Sequence, residues 1–149
     1  MQLGLGTVQF GLNYGIANAR GMTPRPEVER ILALAGDNGI RVLDTAAMYG
    51  DSEAVLGISL PARHDFKIVT KTPNFKTARI TDYHVKQLRS AFANSLEKMK
   101  QDKLYGLLLH HADDLLCSGG ELLFEEMKRL VAAGLVEKIG ISIYDGSQI

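Results

Sequence analysis

Short leucine-rich or β-branched runs alternate along this chain with longer stretches in which apolar side chains recur every three or four positions. The opening "MQLGLGTVQF" predicts a first short strand. Thr23 and Pro24 then predict a helix start, and Val28, Ile31, Leu32 and Ala35 give that helix one apolar face, closed by Gly39. "IRVL" follows at once as a second strand. Asp51 or Ser52 is placed to cap a short helix running to about Gly57. The third strand, "FKIVTK", is too uniformly apolar at its centre to have a solvated face. Thr81 and Asp82 start the longest helix, which carries Val85, Leu88, Phe92, Leu96 and Met99 on one stripe. "LYGLLLH" is the fourth strand. Ser118 and Glu121 stand at capping-box spacing before a helix bearing Leu123, Met127, Leu130 and Val131, and Gly134 ends it. "KIGISI" is the fifth strand, after which Asp145, Gly146 and Ser147 read as a loop and the cap of a further helix.

Strands separated by whole helices cannot be hairpins, so the units are parallel βαβ and the class is α/β. Two architectures compete, an open doubly wound sheet and a (β/α)8 barrel of the TIM type. Gly4 and Gly6 begin the glycine pattern of a dinucleotide-binding open sheet, but Gln9 occupies the third glycine position. The barrel is favoured by the polar residue at the C-terminal end of each later strand: Asp44, Lys71, His110 and Ser142. The intervals from 44 to 71, 71 to 110 and 110 to 142 are each about one βα unit, so all four face one rim. That rim is where barrels build their chemistry. A complete barrel takes about 250 residues. Five strands and four helices therefore make residues 1–149 a single partial-barrel domain.

Composition narrows the function. Of the 149 residues, 46% are hydrophobic, enough for a real core. Lys plus Arg and Asp plus Glu both number 17, so no basic footprint points to nucleic acid or an anionic membrane. Residues 1–19 are uncharged, yet four glycines interrupt them and no basic start marks a signal peptide. A lone cysteine, Cys117, has no internal disulfide partner, and a reducing cytoplasmic location is the simplest expectation. Small-molecule chemistry is the class that remains.

Taken singly, each rim residue has a structural explanation. Asp44 caps a loop, Tyr49 is a partly buried aromatic, Lys71 is solvated and His110 is a satisfied histidine. Four such groups on one rim, with Asp44, Lys71 and His110 at equivalent points of successive units, are harder to assign to chance. The elements that carry them, "LGLGTVQFG", "VLDTAAMYGDSE", "VTKT", "LLLHHADD" and "KIGIS", resemble those of the aldo-keto reductases, over the chain from Leu3 to Asp145. The resemblance implies a barrel fold and NADPH-dependent reduction of an aldehyde or ketone. It maps the family's catalytic Asp, Tyr, Lys and His onto Asp44, Tyr49, Lys71 and His110. His110 is preferred to His111 because it ends the apolar run. Thr7 and Asp44 are implied to touch the nicotinamide ribose region, and Ser142 the carboxamide. Ile143 departs from the pattern, since many members have asparagine there.

Carbonyl reduction by hydride puts negative charge on oxygen, so an acid must deliver a proton as the hydride arrives. Tyr49 is the candidate acid. Lys71 is placed to stabilise its phenolate, Asp44 to hold Lys71, and His110 Nε2 to orient the substrate oxygen. Three other readings compete with this one. His110, His111, Asp113 and Asp114 are metal-ligand types, but strand neighbours point to opposite faces, and the two aspartates read as solvated loop residues. Lys71 at a strand end also suits a Schiff-base aldolase. The third is a cofactor-free half-barrel with an assembly or regulatory role. Adenosine-phosphate contacts of the family lie on later units, so this chain alone is expected to bind NADPH weakly. Open edges on the first and fifth strands lead to the expectation of a homodimer or domain-swapped assembly.

Overall fold

A computed structural model describes residues 3–144 and 146–148. Five parallel strands lie in the order β1-β2-β3-β4-β5, so each pairs with its sequence neighbour and every connection steps the same way around the sheet. The strands are β1 Gly4–Gly6, β2 Val42–Asp44, β3 Lys67–Lys71, β4 Leu104–Leu109 and β5 Val136–Ile141. The connecting helices are α1 Val8–Gly11, α2 Arg25–Asp37, α3 Ser52–Ser59, α4 Asp82–Met99, α5 Asp113–Leu116 and α6 Glu121–Ala132. This is a partial (β/α) barrel, as the strand and helix periods predict. Gly146–Gln148 form one 3-10 turn, and Asp145, expected in the closing loop, lies outside the described residues.

Two local expectations are corrected. Residues 8–10, expected at the end of the first strand, fall instead in the helical turn Val8–Gly11. The Phe10 amide bonds the Thr7 carbonyl and that of Leu12 bonds Val8, a pairing that leaves the strand only three residues. Ser118 does not cap α6. Its carbonyl accepts the Ile80 amide at 2.8 Å and its backbone bridges Arg79, so Gly120 becomes the cap residue. At the start of α4, His84 takes the place of the usual Glu or Gln, its Nδ1 accepting the Thr81 amide at 3.1 Å.

The core lies between the convex face of the sheet and the helices. Leu43, Ile68, Leu107 and Leu109 pack there against Val28, Leu32, Leu56, Leu88, Phe92, Leu123 and Met127, all buried. Across α4 and α6, the buried Glu126 accepts from Arg89 Nε at 2.8 Å and Nη2 at 2.7 Å. The Arg89 bonds hold its carboxyl below the usual carboxylate range, against the opposing effect of burial.

The backbone makes close approaches where glycine is required. A Cβ on Gly57 of α3 would lie 2.0 Å from the Lys98 carbonyl oxygen of α4. Gly50 has φ +56°, and a Cβ there would meet the Gly11 carbonyl oxygen at 2.2 Å. The turn that carries Tyr49 is therefore seated directly on α1.

The concave face is different. Ile68 points to the helices, so Lys67 and Val69 beside it point the other way. The Lys67 and Lys138 ammonium groups lie 4.9 and 5.1 Å from the centre of the Tyr105 ring, near the N-terminal ends of the strands. Among the described residues neither lysine takes part in an ion pair. No helix among the described residues is long and apolar enough to cross a membrane.

Candidate active site

Three inner strands deliver the site. Asp44 ends β2, Lys71 ends β3, and His110 follows the last residue of β4. Asp44 pairs in register with Val69 and Lys71 with Leu108, which puts the two charged residues on the concave face at the C-terminal rim. Lys71 is only 5% exposed. Its ammonium has three N–H groups and finds three acceptors: Asp44 Oδ1 at 2.7 Å, Asp44 Oδ2 at 2.9 Å and the Thr45 carbonyl at 2.9 Å. The Asp44 side chain remains 43% exposed, so the pair lies at the boundary between interior and rim.

Tyr49 arrives from the turn after β2. Lys71 Nζ stands 5.0 Å from the centre of its ring, and the His110 ring meets it edge to face at 5.9 Å. All four sequence-predicted catalytic residues are thus neighbours. Because Lys71 is enclosed and triply bonded, the expectation of a solvated lysine does not hold. Full use of its N–H groups also leaves no free lone pair for imine chemistry, which counts against the aldolase reading.

His110 is 7% exposed and its backbone amide donates to Thr72 Oγ1 at 3.2 Å. Burial, with the Lys71 charge and His111 adding to it, holds the imidazole below its ordinary range, so the ring is neutral at pH 7. Nδ1 is buried and has no hydrogen-bond partner among the described residues. A buried orphan acceptor is better tolerated than a buried orphan donor, which assigns the ring proton to Nε2.

The residues after β4 correct two expectations. His110 and His111 do not diverge; their rings stack at 5.3 Å and 25°, because β4 has ended and strand alternation no longer applies. Tyr144 continues the stack on His111 at 5.9 Å. Asp114 is not solvated but 5% exposed, in α5, where burial raises its carboxyl above the usual range and the Phe75 amide approaches it at 3.4 Å. Asp113 is the exposed member of the pair.

Thr7 and Ser142, the further cofactor candidates, have different settings. Thr7 is fully buried; its amide donates to the Asp44 carbonyl at 2.9 Å and its hydroxyl reaches the same oxygen at 3.0 Å. It is turned away from the rim and braces Asp44. Ser142, just past β5, is half-buried, and its amide bonds the Leu109 carbonyl at 2.9 Å. Of the three cofactor candidates, Ser142 and Asp44 are the ones with solvent-facing surface.

The sequence reading missed a set of buried hydroxyls beneath the rim. Ser52 Oγ donates to the Thr7 carbonyl at 2.9 Å and lies 3.0 Å from Thr45 Oγ1. Thr70 Oγ1 donates to the buried Glu53 at 2.6 Å. The available signal was threonine at consecutive strand ends, Thr45, Thr70 and Thr72, with Ser52 and Glu53 opening the following helix.

The model of the aldo/keto reductase family matches residues 2–149, and the chain belongs to that family. Among solved structures, a Pseudomonas aeruginosa protein described as an aldo-keto reductase is 30% identical with a TM-score of 0.78, over 93% of this chain and 54% of that one. A Klebsiella pneumoniae aldo-keto reductase in complex with NADPH is 27% identical, TM-score 0.68, over 97% and 46%. A Bombyx mori aldo-keto reductase in complex with NADP is 26% identical, TM-score 0.71, over 99% and 48%. The chain spans about half the length of these structures.

Proposed function

We propose that this chain carries the proton-delivering site of an NADPH-dependent reductase of aldehydes or ketones. The observation that carries the reading is the triply bonded Lys71 ammonium beneath the Tyr49 ring, with a neutral His110 at the ring's edge. When bound, a reduced nicotinamide supplies hydride to the carbonyl carbon. Asp44 and Ser142 are the rim residues suited to hold it. Tyr49 gives its hydroxyl proton to the carbonyl oxygen as charge develops there, and later recovers one from solvent. The neighbouring Lys71 stabilises the phenolate left behind, while Asp44 and the Thr45 carbonyl keep the ammonium in place. His110 donates Nε2–H to the substrate oxygen, which aligns the carbonyl between phenol and hydride donor. The partner implied is a small carbonyl compound.

The test is Tyr49→Phe in whatever assembly of this chain oxidises NADPH in the presence of a carbonyl substrate. Turnover is expected to fall by at least about 10²-fold, the usual worth of a positioned acid, with NADPH affinity nearly unchanged. Turnover close to wild type would overturn the acid assignment.

A further inference from the structure

We infer that Ser52, which touches none of the reacting groups, is a positioning residue that fixes the acceptor nest around Lys71. The inference takes its functional meaning from the reductase reading, but its geometry stands independently. Ser52 is the first residue of α3 and is completely buried. Its hydroxyl lies among three groups: the Thr7 carbonyl at 2.9 Å, Thr7 Oγ1 at 2.9 Å and Thr45 Oγ1 at 3.0 Å.

Each hydroxyl has a single proton, and this orders the cluster. Ser52 gives its own to the Thr7 carbonyl, so Thr45 is the donor toward Ser52. Thr7 gives its proton to the Asp44 carbonyl at 3.0 Å, and its oxygen lies 2.9 Å from Ser52 Oγ. The peptide joining Asp44 to Thr45 is consequently gripped from both ends. The Thr7 amide and hydroxyl hold the Asp44 carbonyl, and the Thr45 side chain is tied to Ser52. These are the same two residues that supply all three acceptors to Lys71: two carboxylate oxygens and the Thr45 carbonyl.

Removing the Ser52 hydroxyl leaves the Thr7 carbonyl and the Thr45 hydroxyl without their buried partner, so the Asp44–Thr45 peptide gains freedom and the nest opens. A second feature makes the effect specific to Lys71. It is the one lysine buried among the described residues, so its ammonium is the one shielded from solvent exchange.

The experiment is proton NMR of the ¹⁵N-lysine-labelled chain near neutral pH. A slowly exchanging ammonium signal is expected, assigned by its loss in Lys71→Met. In Ser52→Ala, and separately in Thr45→Val, which keeps its shape and loses only the hydroxyl, exchange of that signal is expected to accelerate at least tenfold. The double variant should add little to either single change, because both cut one connection. A folded Ser52→Ala or Thr45→Val chain with unchanged Lys71 exchange would overturn the inference, even if its melting temperature fell. Neither readout uses catalysis, so an inactive or active Tyr49→Phe leaves this result undisturbed.

Discussion

Lys71 and Asp44 are joined by two hydrogen bonds of 2.7 and 2.9 Å although the lysine is almost wholly buried and the aspartate side chain 43% exposed. The asymmetry decides what each mutation does. In Lys71→Met the carboxylate turns toward water and escapes most of the penalty of losing its partner, so stability should fall by only about 1–3 kcal/mol. Activity should fall further, by at least about 10²-fold, because among the described residues Lys71 is the only cation found over the Tyr49 ring. Denaturant midpoints and NADPH oxidation rates compare the two effects. A modest loss of rate would mean that the phenolate is stabilised from elsewhere.

Acid should destabilise the fold in two windows. His110 and His64 both titrate below the ordinary value of 6.5 in the folded chain, chiefly through burial. The unfolded chain then takes up protons first as pH drops through 6.5, and stability falls until the folded-state values are passed. Glu126, held below 4.5 by Arg89, adds stability that is complete above 4.5 and lost as pH falls through its folded value. Asp114, raised by burial, acts in the opposite sense and offsets part of the loss. Urea midpoints from pH 8 to about pH 2 should show both declines, and His110→Gln should flatten the upper one.

Gly50→Ala should disturb the Tyr49 turn. The added Cβ meets the Gly11 carbonyl oxygen at 2.2 Å and φ is +56°, so clash and strain coincide. A loss of about 1–3 kcal/mol is expected, each kcal/mol lowering the melting temperature by roughly 2–4 °C. Calorimetry measures it, and an unchanged melting temperature would mean that the turn relaxes freely.

We propose that residues 1–149, taken alone, self-associate at micromolar concentration, since among the described residues the outer edges of β1 and β5 are unpaired. Lys67 and Lys138 on the concave face would then approach their own counterparts. Association should consequently strengthen as salt rises from about 0.05 to 0.5 M, where screening shortens to a few ångströms. Sedimentation at both salt levels tests this. A stable monomer with cooperative unfolding at both would rule it out.

The strands, the long helices and the four rim residues were readable in the sequence because each rests on a local signal: a period, a cap, or a polar residue closing an apolar run. What escaped depended on contacts between distant segments. Ser118 has a capping residue's spacing, yet its backbone is claimed by Ile80. Asp114 looks like a loop acid but is buried in α5 beneath the Phe75 loop. Ser52 resembles any helix-starting serine, and only the fold brings Thr7 from 45 residues away to meet it.

The strand order has one more implication. Asp44, Lys71 and His110 come from β2, β3 and β4, while β1 and β5 form the margins of the sheet. Parts of a protein open separately, and margins with unpaired backbone open most readily. Among the described strands, fraying from either side therefore has to cross a whole strand before it reaches the Asp44–Lys71 pair, whereas Tyr49, held on the turn after β2, depends on the seating of that turn on α1.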